Sequence, residues 1–164
     1  ATRGLQINAD RTLSYFENVA NAPFTNSEVA LNGWTHIVIT GDGSTWLRAY
    51  IDGVETDSTS ATIGAITVRD IGKNTATASG FDGYMDEVAI WTGSILSSAN
   101  VTSIYNGGTP TDLSSFSPVN WWRMGDSDSP VDGAVISSVS DDGSGSNALN
   151  ATSPNQPLYS TTTP

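Results

Sequence analysis

The sequence predicts an all-β fold, an antiparallel β-sandwich with one short helix and an extended C-terminal tail. Apolar and polar residues alternate with a period of two through much of residues 4–92, as in strands that bury one face. Turns rich in Gly and Asp interrupt this alternation about every 8 to 12 residues, a spacing typical of sandwiches. Ser and Thr supply 42 of the 164 residues, so strong helix formers are few.

We expect strands wherever the alternating or β-branched stretches occur: residues 5–9, 13–17, 27–31, 34–40, 46–51, 54–55, 63–71 and 83–91. Turns are expected where residues tolerate positive φ: Asp10-Arg11, Asn32-Gly33, residues 41–44 and Asp52-Gly53. The stretch 21–26, which contains Pro23, predicts a loop.

A single helix interrupts the strand pattern after residue 96. Ser97 or Ser98 can cap it, Val101, Ile104 and Tyr105 share one face, and Gly107-Gly108 ends it. We therefore expect a sandwich domain over residues 1–118. Residues 119–164 are expected to form a C-terminal strand and an extended tail that packs on the sandwich or on a neighbouring chain.

Charge and composition exclude several classes of function. Six basic and 17 acidic side chains give a net charge of −11, and there is one His and no Cys. We expect no nucleic-acid partner, since an acidic chain lacks the necessary basic patch. The absence of Cys excludes disulfides and thiolate zinc sites. No apolar run approaches the roughly 20 residues of a membrane helix, so we expect no membrane insertion.

The residues also argue against catalysis, and we predict no catalytic residue. Asp86 and Glu87 are adjacent on a predicted strand, so their side chains point to opposite faces and cannot flank one glycosidic bond. Asp86 is instead expected to accept hydrogen bonds from backbone N–H groups where the strand begins. His36, in an apolar strand, is expected to be a packed core residue.

Four motifs, in order, resemble those of laminin-G-like domains of the concanavalin A-like jelly-roll type. They are Gly33–Thr40 (a W-x-H strand), Arg48–Val54 (a Y-I-D-G hairpin), Asp70–Gly72 with Gly80–Trp91 (I-G and F-x-G-x-M-D-E-V) and Leu96–Gly108 (a helical end). The resemblance implies a jelly-roll sandwich, and such domains usually begin with strands that are not visible here. The sheet is thus shortened, completed by the tail, or completed by another chain.

The tail carries a further resemblance. Trp121–Asp126 is similar to the strand that opens many such domains, and Asp141–Asn147 is similar to the turn that follows it. We therefore expect the tail to fold back as the strand that the N-terminus lacks. A module of this kind with such a tail also resembles structural proteins of tailed, particularly marine, phages.

Calcium is the candidate cofactor, because laminin-G-like domains often bind it at a loop edge. Asp126, Asp128 and Asp132 place three carboxylates in one short loop, and Asp42 and Asp141-Asp142 are candidates in other turns. The loop fails the EF-hand pattern, since no Glu closes it. The other interpretation is a solvated acidic turn.

Aromatic side chains are the candidate ligand contacts, because sugar rings stack on exposed aromatic faces. Trp46 and Tyr50 share one strand face opposite Leu47 and Ala49. Trp121 and Trp122 are adjacent in a strand and point oppositely. The alternative is that these four rings fill the sandwich.

The function predicted from these observations is that of a non-catalytic surface module: a phage virion decoration, fibre or appendage protein with a glycan-binding adhesion role. Its partners are then other virion subunits, copies of itself or cell-surface glycans, and its location is the virion surface or the extracellular space. The alternatives are a cellular calcium-dependent lectin-like adhesion domain and a glycoside hydrolase fragment. Because the chain starts at Ala1 without Met or a signal peptide, we expect a processed chain or a fragment.

Overall fold

A computed structural model describes residues 3–17, 20–61, 68–74, 79–125, 131–151 and 157–160. The chain forms two compact units, each built from two segments. Unit 1 comprises Ala1–Thr67 and Ile95–Thr111, and unit 2 comprises Val68–Ser94 and Asp112–Pro164. The expected domain boundary after residue 118 stays a prediction.

Unit 1 contains two antiparallel three-stranded sheets. The first has the order β1-β2-β3, formed by Arg3–Ile7, Thr12–Glu17 and Ala20–Glu28. The second has the order β4-β5-β6, formed by Ile37–Gly41, Leu47–Ile51 and Val54–Thr59. Within each sheet, strands that are consecutive in sequence are neighbours in space, as expected for hairpin-connected strands.

The two sheets of unit 1 pack face to face around a common core. Its buried members come from both sheets: Leu13, Tyr15, Phe24, Leu47 and Ala49. Burying each of the larger apolar side chains contributes about 1.5–3 kcal/mol, so this layer is the main source of stability in the unit. The predicted all-β sandwich is confirmed.

Hydrogen bonds also join the two sheets along β3 and β6. The hydroxyls of Ser27 and Thr56 are 2.7 Å apart, and the backbone N–H of Asn26 donates to Asp57 Oδ2 at 3.0 Å. Ser27 is fully buried. Because a buried hydroxyl without a partner is costly, this pair fixes the register between the sheets.

The hairpin between β5 and β6 forms at the predicted Asp52-Gly53 turn. Both residues have positive φ, 49° and 78°, as a type I′ turn requires. A Cβ at Gly53 would lie 2.9 Å from Cδ1 of Tyr105, so only glycine fits beneath that ring. The Asp10-Arg11 turn is also confirmed, with φ of 70° at Arg11.

The predicted helix is α1, Ser98–Tyr105, and it buries Val101 and Ile104. Of the two possible caps, Ser97 is the one used, and its side chain accepts a hydrogen bond from Asn100 N at 3.2 Å. The helix ends where Asn106 adopts a left-handed φ of 46°. In the part of the chain that the structure describes, no helix has the length and apolar character needed to cross a membrane.

Unit 2 contains short antiparallel strand pairs. They are β7 with β8 (Lys73–Asn74 and Ser79–Gly80), β9 with β10 (Val88–Ile90 and Asn120–Trp122) and β11 with β12 (Ser138–Val139 and Leu149–Asn150). In the central pair, Trp121 lies opposite Ala89. The tail thus contributes a strand that pairs with the strand of the family-like signature.

Several predicted element boundaries are wrong. The loop expected at 21–26 is part of β3. The strand expected at 27–31 is also wrong in its bounds, because β3 ends at Glu28. Pro23 is tolerated because β3 is an edge strand, where one side of the backbone needs no partner. The strand expected over 34–40 begins only at Ile37 and runs to Gly41.

The strand expected over 83–91 is reduced to β9, because Glu87 has a left-handed φ of 52° that interrupts extended backbone. Of the strand expected over 63–71, residues 63–67 lie outside the described residues. Residues 68–71 do not form a strand.

Replacing Leu13 with Ala should lower the free energy of unfolding by about 2–5 kcal/mol, since it removes a fully buried side chain between the sheets. Urea denaturation followed by circular dichroism measures this change. Leu5→Ala on the neighbouring strand is the matched control, because Leu5 is exposed and its loss should cost far less. Equal losses for the two variants would contradict the assigned core.

Candidate functional site

Asp42 organises the turn between β4 and β5 instead of presenting a free carboxylate. Its Oδ1 accepts hydrogen bonds from the backbone N–H groups of Ser44 (3.0 Å), Thr45 (2.7 Å) and Trp46 (3.1 Å). Its Oδ2 accepts from the Thr45 hydroxyl. The Thr45 hydroxyl first, and then these backbone donors, hold the pKa of Asp42 well below its usual range.

Within the described residues, the predicted calcium ligands do not form a cluster. Asp126 and Asp128 lie outside the described residues, and Asp132 lies in an exposed turn. Among the residues that the structure describes, no group of three or more His, Cys, Asp or Glu side chains could hold a metal ion. The calcium site therefore stays a prediction.

Asp86 and Glu87 are both engaged within unit 2. Asp86 Oδ1 accepts from the Glu87 backbone N–H at 3.0 Å, which is the backbone role expected for Asp86. Glu87 accepts from Trp121 Nε1 at 2.5 Å and from Arg123 Nε at 3.4 Å, and its side chain is mostly buried. A carboxylate held by an indole and a guanidinium positions the β9–β10 pair and leaves little scope for proton transfer to a substrate.

His36 is half-buried beside the ring of Tyr105, with the ring centroids 5.7 Å apart. Burial lowers the pKa of His36, and the nearby Asp52 carboxylate opposes this only in part. The His36 backbone N–H donates to Asp52 Oδ1 at 2.9 Å, and the Asp52 backbone N–H donates to the His36 carbonyl at 2.9 Å. The geometry is that of a packed residue at the base of a hairpin.

Trp121 and Trp122 are buried, and each indole N–H has a partner in unit 2. Trp121 donates to Glu87, and Trp122 Nε1 donates to the Asn147 carbonyl at 2.8 Å. The Arg123 guanidinium covers the Trp121 ring at 5.0 Å from its centroid. These rings therefore have packing and anchoring roles in the structure, and their predicted contact with a ligand has no exposed face to support it.

Asp141 is the side chain that fastens the tail, a role that sequence reasoning did not assign to it. Oδ1 accepts from the backbone N–H groups of Trp121 (2.8 Å) and Gly143 (2.9 Å). Oδ2 accepts from Asn147 N (2.7 Å) and from the Asn120 side chain (2.6 Å). Burial alone would raise the pKa of Asp141, but these four hydrogen bonds together lower it.

In unit 1, Trp46 and Tyr50 have different surroundings. Tyr50 is buried, and its hydroxyl donates to Glu55 Oε2 at 3.1 Å. Trp46 is half-buried, and the Arg48 guanidinium lies 4.5 Å from its ring centroid. Leu47 and Ala49 occupy the core face, which settles the choice that the sequence left open between the two faces of the strand. Of the four predicted ligand-contacting rings, Trp46 is the one that retains accessible surface.

Two other aromatic rings are exposed in unit 2, on the loop between β8 and β9. Phe81 is 42% exposed and Tyr84 is 61% exposed. The Phe81 backbone N–H donates to the Gly72 carbonyl at 2.7 Å, which ties the loop to the preceding segment. The Phe81 ring lies so close to Gly83 that a Cβ there would be 2.9 Å from ring carbons. We call Phe81, Asp82 and Tyr84 the loop platform.

The loop platform could have been suspected from the sequence, since Gly80-Phe-Asp-Gly-Tyr84 places two aromatics between turn residues. Aromatic rings in a Gly-flanked loop are candidates for exposure, whereas rings inside strands alternate into packed faces. The motif that contains these residues predicts the fold, but it does not predict that their side chains are exposed.

The antiparallel sandwich of unit 1, with its helix α1, defines a lectin-like β-sandwich domain. The chain belongs to the concanavalin A-like lectin/glucanase superfamily, since the laminin-G-type model of that superfamily matches residues 2–102, more than half of the chain. This confirms the resemblance seen in the motifs. No curated protein and no solved structure matches the chain.

Asp141→Asn should lower the free energy of unfolding by about 1–2 kcal/mol at neutral pH. This loss is modest for hydrogen bonds to a charged group because part of the carboxylate is solvated. Trp fluorescence during urea denaturation measures the loss. Asp142→Asn is the matched control, with the same change of charge at an exposed neighbour. A control that loses as much stability as Asp141→Asn would contradict the fastening role.

The stability difference between the wild type and Asp141→Asn should depend on pH. Because the folded-state pKa of Asp141 is lowered, its contribution is complete above the unfolded carboxyl pKa of about 4 and is lost as the pH falls through the folded-state value. Denaturation at pH 7, 5, 4 and 3 should show a constant difference down to about pH 5 and a shrinking one below about pH 4. A difference that grows on acidification would rule out this carboxylate as the source.

Proposed function

We propose that this protein is a non-catalytic carbohydrate-binding module that is displayed on the surface of a virion. Glycans contact the loop platform, which the hydrogen bond from the Phe81 backbone N–H to the Gly72 carbonyl holds in place. The observation that carries the proposal is the exposure of Phe81 and Tyr84 on a loop tied down by a backbone hydrogen bond. The superfamily of this chain includes both lectins and glucanases, so the choice between binding and catalysis depends on the chemistry of the described residues.

The loop platform suits a sugar for physical reasons. A pyranose ring has an apolar face of C–H groups and a polar edge of hydroxyls. Phe81 and Tyr84 offer ring faces, and the exposed Asp82 between them offers an acceptor for hydroxyl groups. Rings that already protrude into water lose little side-chain freedom on binding, because an aromatic side chain has only two rotatable bonds.

The described carboxylates support a role without catalysis. Asp42 and Asp141 accept three or more hydrogen bonds each from their own chain, and their pKa values are lowered. A glycosidase needs a carboxylic acid whose pKa is raised, so that it can donate a proton at neutral pH. The direction of both shifts is opposite to that requirement.

Display on a virion is supported by the net charge and by the likeness of the tail to phage structural proteins. A charge of −11 on 164 residues keeps many exposed copies soluble and apart. The partners proposed are virion subunits, copies of the chain and cell-surface glycans.

Tyr84→Ala should weaken binding to glycans by about tenfold or more, since the loss of a stacking ring removes roughly 1–3 kcal/mol. The probe is an array of immobilised neutral oligosaccharides, and the strongest hit is then titrated by calorimetry. Tyr84→Phe keeps the ring and should bind within a few-fold of the wild type. Leu31→Ala removes an exposed apolar side chain in unit 1 and should leave the affinity unchanged.

The same titrations separate binding from catalysis. The wild type should release no reducing ends from any oligosaccharide that it binds, and binding should persist in a chelator. Release of reducing ends would overturn the non-catalytic role. A chelator-sensitive signal would instead favour the calcium-dependent lectin.

Antibodies raised against the domain should label the outside of tailed virus particles that carry its gene. Negative-stain electron microscopy with gold-conjugated antibody measures this labelling, and antibody preincubated with the purified domain is the control. Particles that assemble without any labelled copy would contradict display on the virion.

A further inference from the structure

We propose that unit 1 holds a second binding site, centred on Arg48, that recognises the carboxylate of an acidic saccharide. The site consists of Trp46, Arg48, Thr40 and Glu55, which we call the arginine face. It is built from different residues than the loop platform, and its ligand carries a charge that the loop platform does not select.

The arginine face lies on the side of the β4-β5-β6 sheet opposite Leu47 and Ala49, the side to which the buried Tyr50 also belongs. Leu47 and Ala49 point into the core, so Arg48 between them points to the opposite face. Thr40 of β4 is the cross-strand partner of Arg48. Directly opposed residues in a sheet project from the same face, so Thr40 and Arg48 are neighbours on it.

Arg48 is held in place but is incompletely paired. Its guanidinium lies 4.5 Å from the centroid of the Trp46 ring, and its Nη1 is 3.5 Å from Glu55 Oε2. Glu55 Oε2 also accepts from the Tyr50 hydroxyl at 3.1 Å, so Glu55 has a second partner. A guanidinium has five N–H donors, and one long contact to Glu55 leaves its capacity to bind a carboxylate with two hydrogen bonds largely unused.

The chain contains a matched comparison in Arg123, which also lies over a Trp ring. There the ring of Trp121 is buried, and the paired carboxylate of Glu87 is 17% exposed. At the arginine face, the side chains of Arg48 and Glu55 are 44% and 38% exposed, and Trp46 is only half-buried. The ring and carboxylate beside Arg123 are covered by the chain, whereas the ring and carboxylate beside Arg48 are more open to a ligand.

Thr40 supplies an independent indication of a ligand. It is 7% exposed, and its Oγ1 is one of the buried side-chain oxygens that have no hydrogen-bond partner among the described residues. An unpartnered buried hydroxyl costs roughly 1–3 kcal/mol. A small rotation of the side chains on this face would let a ligand oxygen beside Arg48 accept from Thr40 as well.

A uronic or sialic acid fits this combination. The carboxylate takes two parallel hydrogen bonds from Arg48, the sugar ring packs against the exposed part of Trp46, and Thr40 donates to a carboxylate oxygen. A neutral sugar would leave the guanidinium with only Glu55. In a chain with a net charge of −11, an exposed cation is the feature that can attract an anionic group against the general repulsion.

Paired probes test the charge requirement directly. The probes are oligogalacturonate, oligomannuronate and sialyllactose, each compared by calorimetry with its methyl ester, which keeps the ring and removes the charge. The wild type should bind at least one acid about tenfold or more tightly than its ester. Affinity should fall about threefold or more between 50 and 300 mM NaCl, because the contact is partly exposed. Failure to bind any of the three acids, or equal affinity for acid and ester, would overturn the proposal.

Variants then assign the binding to these side chains. Arg48→Gln should lose about tenfold or more in affinity for the acid and nothing for the ester. Arg48→Lys should recover only part of the loss, because an ammonium cannot form the paired hydrogen bonds. Thr40→Val, nearly the same shape without the hydroxyl, should weaken binding by about fivefold. Arg48→Gln binding the acid as tightly as the wild type would overturn the site.

Control variants keep this site distinct from the loop platform. Arg69→Gln makes the same change at an exposed arginine of unit 2 and should not alter affinity for the acid. Tyr84→Ala should also leave it unchanged while it weakens binding of neutral glycans by about tenfold or more. If Tyr84→Ala lost binding of the acid and Arg48→Gln retained it fully, the acidic ligand would bind at the loop platform. That result would refute the arginine face.

Discussion

The loops of this protein depend on aspartate carboxylates that accept hydrogen bonds from the backbone N–H groups of turns. Asp42 shapes the turn before β5, Asp52 joins the hairpin to His36, and Asp141 fastens the tail to β10. Turn N–H groups have no strand partner, so a carboxylate is the strongest acceptor available to them. Such hydrogen bonds lower the pKa values of Asp42 and Asp141, because they stabilise the charged form. The acidic composition thus serves the architecture as well as solubility.

Function follows from what this arrangement leaves at the surface. The described sheet residues bury most of the strand-borne rings, including Tyr50, Trp121 and Trp122. Exposed aromatic surface in unit 2 lies on a loop, at Phe81 and Tyr84, and an exposed cation of unit 1 lies on a sheet face, at Arg48. Both features are suited to contact with a ligand. The superfamily to which the chain belongs contains both lectins and glucanases.

Local signals in the sequence predicted local structure well. The predictions of a turn at Asp52-Gly53 and of a helix cap at Ser97 are confirmed, because positive φ and side-chain capping are decided within a few residues. The loop predicted around Pro23 is wrong because a strand can contain proline where it lies at a sheet edge. No local sequence pattern reveals that β3 is such a strand. The left-handed φ of Glu87 shortened a strand for the same kind of reason: Trp121 and Arg123, far along the chain, hold that side chain. Ring exposure is likewise set by tertiary packing, so Trp46 could not be separated from Tyr50 in advance.

The ionisation of the carboxyl groups is the most direct test of the proposal that this protein works by contact and not by catalysis. Carbon-13 nuclear magnetic resonance of the 17 labelled Asp and Glu side chains, followed from pH 2 to 8, gives each titration in the folded protein. If carboxylates are structural, Asp42 and Asp141 titrate below the usual carboxyl range because turn N–H groups stabilise their charge. A carboxyl that titrates near neutral pH, as a general acid must, would contradict this picture.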